Sequence, residues 1–160
     1  MSDLIKKMND QFNFELSSGY IYLAMAAHMK DQEMDGFAHF MAKQAEEEYE
    51  HAMKFYNFLF EIGEKVEYAE IEKPKNDYAN FKEVFEAAYE HEKVVSQRIR
   101  DLYKQAQDEN NYEVLEFLGW FIEEQIEEED TFRSILTRLE RIGESWNGLY
   151  IFDRELAARE

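Results

Sequence analysis

Glu47-Glu48-Tyr49-Glu50-His51-Ala52-Met53 sits inside an apolar helical stripe, where carboxylates do not ordinarily belong. Around it Phe37, Met41, Ala45, Ala52, Phe55 and Leu59 recur at helical spacing. That spacing predicts a helix over about residues 36–62, closed by Gly63 as a C-terminal stop. Glu48 and His51 stand at i and i+3, on the face that the apolar residues mark as buried. A buried carboxylate without a partner is costly, so this face needs a compensating cation.

Three further helices surround this one. Leu4, Met8, Phe12, Leu16, Tyr22, Met25 and Met29 predict a helix over about 3–30, capped by Ser2 or Asp3 and broken by the polar run 31–36. From Glu64 to Asn80 the periodicity is lost, and the single proline, Pro74, lies there. Phe85, Ala88, Val95, Ile99 and Leu102 predict a third helix over 81–106. The polar cluster Asp108-Glu109-Asn110-Asn111 ends it and caps a fourth over 112–142, through Leu118, Ile122, Phe132, Ile135 and Leu139 to a stop at Gly143. A short, weakly amphipathic segment follows at 147–157. A helix of about 26 residues is about 39 Å long. The link of roughly 17 residues can stretch about 56 Å, so it can run the whole length of the bundle. The expected fold is therefore all-α: one domain over 1–160, a four-helix bundle with a long crossover between helices two and three, plus a short fifth helix.

Every long helix carries a metal-capable side chain in its apolar stripe. In the first it is Glu15, three residues after Phe12; in the third it is Glu92, between Ala88 and Val95. The second has Glu48 with His51, and the fourth has Gln125 with Glu128, again at i, i+3. One offset of 77 residues maps Glu15 onto Glu92, Glu48 onto Gln125 and His51 onto Glu128. It also maps Glu47 onto Glu124 and Glu50 onto Glu127. The chain thus reads as two hairpins presenting one constellation about a pseudo-twofold axis. So many inward carboxylates repel one another unless cations lie between them, and hard oxygen ligands with one imidazole suit iron or manganese. Two carboxylate-bridged metals of this kind pass electrons to dioxygen or peroxide.

The net charge of −18 opposes contact with nucleic acid, whose phosphates it repels. There are no cysteines, which excludes disulfides and thiolate-held zinc, haem or iron–sulfur groups. The stretch Met1–Lys7 has a polar register without an apolar signal core, and no apolar run is long enough to span a bilayer. A cytoplasmic protein without a membrane partner is the expectation.

With these residues in place, the whole chain resembles the bacterial and archaeal non-haem ferritins. The resemblance is carried by Asn13-Phe14-Glu15-Leu16, Glu47 to Met53, Glu90-His91-Glu92, Glu124 to Glu129, and the ending Gly148-Leu149-Tyr150-Ile151-Phe152-Asp153-Arg154-Glu155-Leu156. It implies a ferritin-like bundle and a ferroxidase centre. Glu15, Glu48 and His51 hold one iron; Glu48 bridges to a second, held by Glu92 and Glu128 with Gln125 beside it. It implies a third, weaker iron site at Glu47, Glu124 and Glu127, and a role for Tyr22 in donating an electron or a hydrogen bond. Trp120, one turn before Glu124, could lie close to the site as well, with plain core packing the favoured reading. It further implies storage of ferric mineral in an octahedral shell of twenty-four identical subunits. Tyr49 stands where haem-binding relatives carry a methionine, so haem is not expected. Glu128 stands where those relatives and the rubrerythrins carry a histidine. Two other functions remain open at this stage: a peroxide-consuming di-iron enzyme without storage, and a non-catalytic helical interaction protein.

Overall fold

In the computed structural model, which describes residues 2–160, five helices follow one another: α1 (Asp3–Asp31), α2 (Asp35–Glu61), α3 (Phe81–Asp108), α4 (Tyr112–Ile142) and α5 (Trp146–Leu156). Met1, at the head of the polar N-terminal stretch, lies outside the described residues. The helix ends follow their local chemistry. Ser2 caps α1 by accepting from the Ile5 amide, and Asn80 and Asn111 cap α3 and α4 in the same way. Gly63 and Gly143, just beyond α2 and α4, take positive φ values of 79° and 63°.

α1 packs chiefly on α2, and α3 on α4, as two antiparallel hairpins. One apolar cluster joins the end of α1 (Tyr22, Met25, Met29) to the start of α2 (Phe37, Met41), the start of α3 (Phe85, Ala88) and the end of α4 (Phe132, Leu139). Since α2 and α3 both begin at this end, they run parallel, as a long crossover requires. The crossover lies along α1. Asn9 exchanges hydrogen bonds with the Glu67 backbone, and the Asn13 side chain accepts from the Ala69 amide. A second apolar cluster fills the other end through Phe12, Phe55, Val95, Leu118 and Phe121. Between the two clusters lies a polar layer: Glu15, Glu48, His51, Glu92, Gln125 and Glu128. No described helix is long and apolar enough to cross a membrane.

α5 docks across the start of α2. Met34 gives α2 no side-chain cap, and Asp153 of α5 supplies one by accepting from the Phe37 amide at 2.8 Å. Gly36 makes this approach possible, because a Cβ there would stand 1.7 Å from the Asp153 carbonyl oxygen. Gly36→Ala is therefore expected to destabilise the fold. The clash costs about 3 kcal/mol and alanine's better helix propensity offsets only about 1 kcal/mol. Denaturant unfolding should show a net loss of about 2 kcal/mol.

Candidate metal centre

Four helices each turn part of the polar layer inward at one level, and its carboxylates and imidazole are 5 % exposed or less. Glu15, Glu48 and His51 offer ligand atoms within 4.8 Å of one another, and so do Glu48, Glu92 and Glu128. Glu48 belongs to both groups, so the two candidate ion positions adjoin and share a carboxylate. His51 Nδ1 lies 3.4 Å from Glu48 Oε2 and 3.9 Å from Glu15 Oε2.

Hydrogen bonds hold the outer oxygens of these carboxylates. Gln11 donates to Glu15 Oε1 at 3.0 Å; Gln44 donates to Glu48 Oε1 at 3.0 Å and to Glu128 Oε2 at 2.9 Å. Tyr22 donates its hydroxyl to Glu92 Oε1 at 2.6 Å, and Gln125 donates to Glu92 Oε2 at 3.1 Å. Among the described residues, the buried side-chain polar atoms left without a partner are Glu15 Oε2 and Glu48 Oε2, the two that face His51. Buried acceptors are rarely left this way, and here both sit among groups that ligate metals. The donor set fits two small, hard cations.

Electrostatics point the same way. Burial first, then the charges of Glu92 and Glu15, raises the Glu48 carboxyl well above the ordinary range. Burial also raises Glu92 to about 7, against the lowering effect of its bonds from Tyr22 and Gln125. Glu128 rises to about 10, through burial and then the neighbouring Glu92 and Glu47. Burial and the Glu92 carboxylate hold the Tyr22 phenol protonated well above its usual range. Without cations the site therefore keeps protons at neutral pH, and cations must displace them.

Of the residues expected at the third site, Glu47 and Glu124 both adjoin Glu128, and Glu127 lies further out. Glu124 approaches His51, its Oε1 3.9 Å from Nε2, and forms a third group with His51 and Glu128. Glu47 neighbours Glu128 and also pairs with Arg159 at 3.1 Å, and Glu127 is exposed. Trp120 corrects the expectation of plain core packing. It is 39 % exposed, its ring meets His51 edge-on at 5.4 Å, and Lys54 lies over it at 4.1 Å. Tyr49 is exposed and lines an apolar groove of about 840 Å³ with Leu16, Tyr20, Leu23 and Ile71. Gln11 and Gln44 were missed by sequence reasoning. Each lies four residues before its glutamate, on the same buried face, and that spacing was the available signal.

Comparison with known proteins yields one family and close relatives within it. Residues 5–142 match the family model for Ferritin, described as a ferritin-like domain. The chain is 40% identical over 157 residues to a bacterial non-heme ferritin of Staphylococcus haemolyticus, covering 98% of this chain and 95% of that one. It is 39% identical over 154 residues to a probable bacterial non-heme ferritin-like protein of Haemophilus influenzae, covering 96% of this chain and 93% of the relative. An open pore ferritin from the archaeon Archaeoglobus fulgidus superposes with a TM-score of 0.99 at 35% identity, covering 100% of this chain and 99% of the other. A closed form of that ferritin, engineered by site-directed mutagenesis, superposes with a TM-score of 0.98.

Proposed function

The chain belongs to the ferritin family, and from that premise we propose that it oxidises Fe²⁺ at the buried centre and stores the product as ferric mineral inside a shell of identical subunits. The observation that carries this reading is Glu48, shared between two groups of buried ligands and presenting an unpartnered oxygen beside His51. Iron is the substrate here. Two Fe²⁺ ions enter the adjoining groups, one among Glu15, Glu48 and His51, the other among Glu48, Glu92 and Glu128. Each gives up one electron. Dioxygen takes both electrons with two protons and leaves as hydrogen peroxide; where peroxide is the oxidant, it leaves as water.

The chain's own residues prepare this exchange. Glu48 holds both ions at one separation. Tyr22 and Gln125 hold the Glu92 carboxylate, one at each oxygen, and the apolar clusters above and below keep bulk water from the layer. The two positions differ, because only one has an imidazole. The second ion, held by carboxylates alone, binds more loosely and is the one that leaves for the mineral. Glu124, beside both His51 and Glu128, offers a further carboxylate next to the centre.

A closed octahedral shell of twenty-four subunits is the assembly this reading favours, and the −18 charge suits a cation-attracting surface and inner wall. Gel filtration before and after aerobic addition of Fe²⁺, with ferric absorbance followed in the same peak, tests it. A large assembly that takes up iron far beyond two or three ions per subunit is expected. A monomer or dimer that oxidises iron without accumulating it would replace storage with a simple di-iron oxidase.

A further inference from the structure

Two arginines reach the carboxylates of the centre through glutamines. Arg98 of α3 donates from Nε to Gln11 Oε1 at 2.7 Å, and Gln11 passes its own N–H to Glu15. Arg159, beyond the end of α5, donates from Nη2 to Gln44 Oε1 at 2.9 Å, and Gln44 donates to both Glu48 and Glu128. Each guanidinium also lies over a phenylalanine: Arg98 at 4.0 Å from the Phe14 ring centre, Arg159 at 4.2 Å from that of Phe40.

A guanidinium has only donors, so each glutamine must turn its oxygen toward the arginine and its NH₂ toward the carboxylates. Rotated by half a turn, either amide would set its oxygen against a carboxylate oxygen. The arginine therefore keeps a donor, not an acceptor, against the occupied oxygen of Glu15 or Glu48. In both cases it is Oε1, which leaves Oε2 unpartnered and facing His51. The two devices differ in reach. Gln11 serves Glu15 alone, whereas Gln44 ties a carboxylate of α2 to one of α4.

We propose that Arg159 is a positioning residue for the all-carboxylate ion position: by locking Gln44, the segment after α5 sets how Glu48 and Glu128 face each other and hence how tightly the second ion binds. This rests on the metal-centre reading above. Arg98, acting through Gln11, does the same for the position that contains Glu15. The segment after α5 is itself anchored for this purpose. Arg159 Nη1 donates to the Phe40 carbonyl at 3.1 Å, and the Arg159 carbonyl lies 2.6 Å from His39 Nε2. Helix α5, remote from the metal ligands in sequence, thereby becomes part of the tuning of the centre.

Titration with Co²⁺ without oxygen, followed by ligand-field absorbance, separates the two positions without any turnover. The wild-type protein is expected to take two Co²⁺ ions per subunit, and Glu128→Gln identifies the step belonging to the carboxylate position. Arg159→Ala should weaken that step about 10-fold, the effect typical of a lost outer-sphere partner, and change the other less, because only the shared Glu48 links it to Gln44. Arg98→Ala should do the reverse. Gln44→Met, which keeps the packing volume, should weaken the same step, and adding Arg159→Ala to it should cost less than Arg159→Ala alone; what remains reports the Arg159–Glu47 pair, which Glu47→Gln removes separately. Melting curves check that each variant is folded. An Arg159→Ala protein with both steps unchanged, or a double variant whose losses add, overturns the proposal. If the wild-type protein itself fails to take two ions, the metal-centre reading fails, and the proposal with it.

Discussion

Replacing Glu48 by glutamine is expected to make the metal-free protein more stable while removing its fast iron oxidation. The Glu48 carboxyl is buried among Glu15, Glu92 and Glu128, and every one of these neighbours opposes its ionisation. A neutral amide of the same shape removes the cost of keeping that carboxyl protonated at neutral pH. Its oxygen can still accept from Gln44, and its NH₂ group takes the place of the unpartnered Glu48 Oε2, on the side of the unpartnered Glu15 Oε2. Exchanges of buried charge for neutral groups stabilise proteins by about 1–4 kcal/mol, and the lower half of that range is expected here in denaturant unfolding. The same change takes a ligand from both ion positions at once. Loss of an outer-sphere partner already costs about 10- to 100-fold, so loss of the shared ligand should slow stopped-flow Fe²⁺ oxidation by at least about 100-fold. Stability and activity moving in opposite directions is the signature of a carboxylate kept for function. A variant that loses both stability and activity would mark Glu48 as structural.

Metal-free stability should fall as pH rises, and divalent cations should reverse the trend. Glu92 holds its proton to about 7 in the folded chain, against an ordinary value of 4.5. Glu128 holds its proton to about 10, and Glu48 is raised as well. A group whose proton is bound more tightly in the folded state favours folding fully below its unfolded value and loses that contribution as pH climbs through the folded one. Between pH 4.5 and 7 the unfolded chain has released these protons while the folded chain keeps them, so stability declines across this window. Glu92 alone accounts for roughly 3 kcal/mol of that decline, at about 1.4 kcal/mol per pH unit. Bound cations take the place of the protons, and an ion present at 1,000 times its dissociation constant stabilises by about 4 kcal/mol. Thermal melts at pH 5 and pH 8, with and without Co²⁺, should therefore show a gap between loaded and metal-free protein that widens at the higher pH. A gap that narrows would mean that cations bind elsewhere than among the buried carboxylates.

The helices and their connection were legible in the sequence because both rest on local spacing. Apolar residues at a period near 3.6, asparagine caps and glycine stops place the ends of α1 to α4 within a few residues. The long aperiodic link between α2 and α3 dictates the crossover. The polar layer was legible for the same reason, since a glutamate within an apolar stripe is visible before any tertiary contact is known. What escaped depends on how elements dock. Asp153 caps α2 only because α5 folds back across Gly36, and no periodicity encodes that angle. Arg159 reaches Gln44 by the same route. Trp120 lies at the edge of the bundle, where one turn of helix separates burial from exposure, so its contact with His51 is a matter of packing rather than pattern. Glu47, expected at a third site from the family resemblance, adjoins Glu128 but is also held by Arg159, a partner that no spacing in the sequence reveals.

In the proposed centre two ions sit side by side with Glu48 between them. Diffraction at the iron absorption edge, from crystals exposed to Fe²⁺ without oxygen, tests it most directly. Two anomalous peaks per subunit about 3.5–4 Å apart are expected, one against Glu15 and His51, the other against Glu92 and Glu128, with Glu48 touching both. A single peak, or peaks confined to the outer acidic surface, would contradict it.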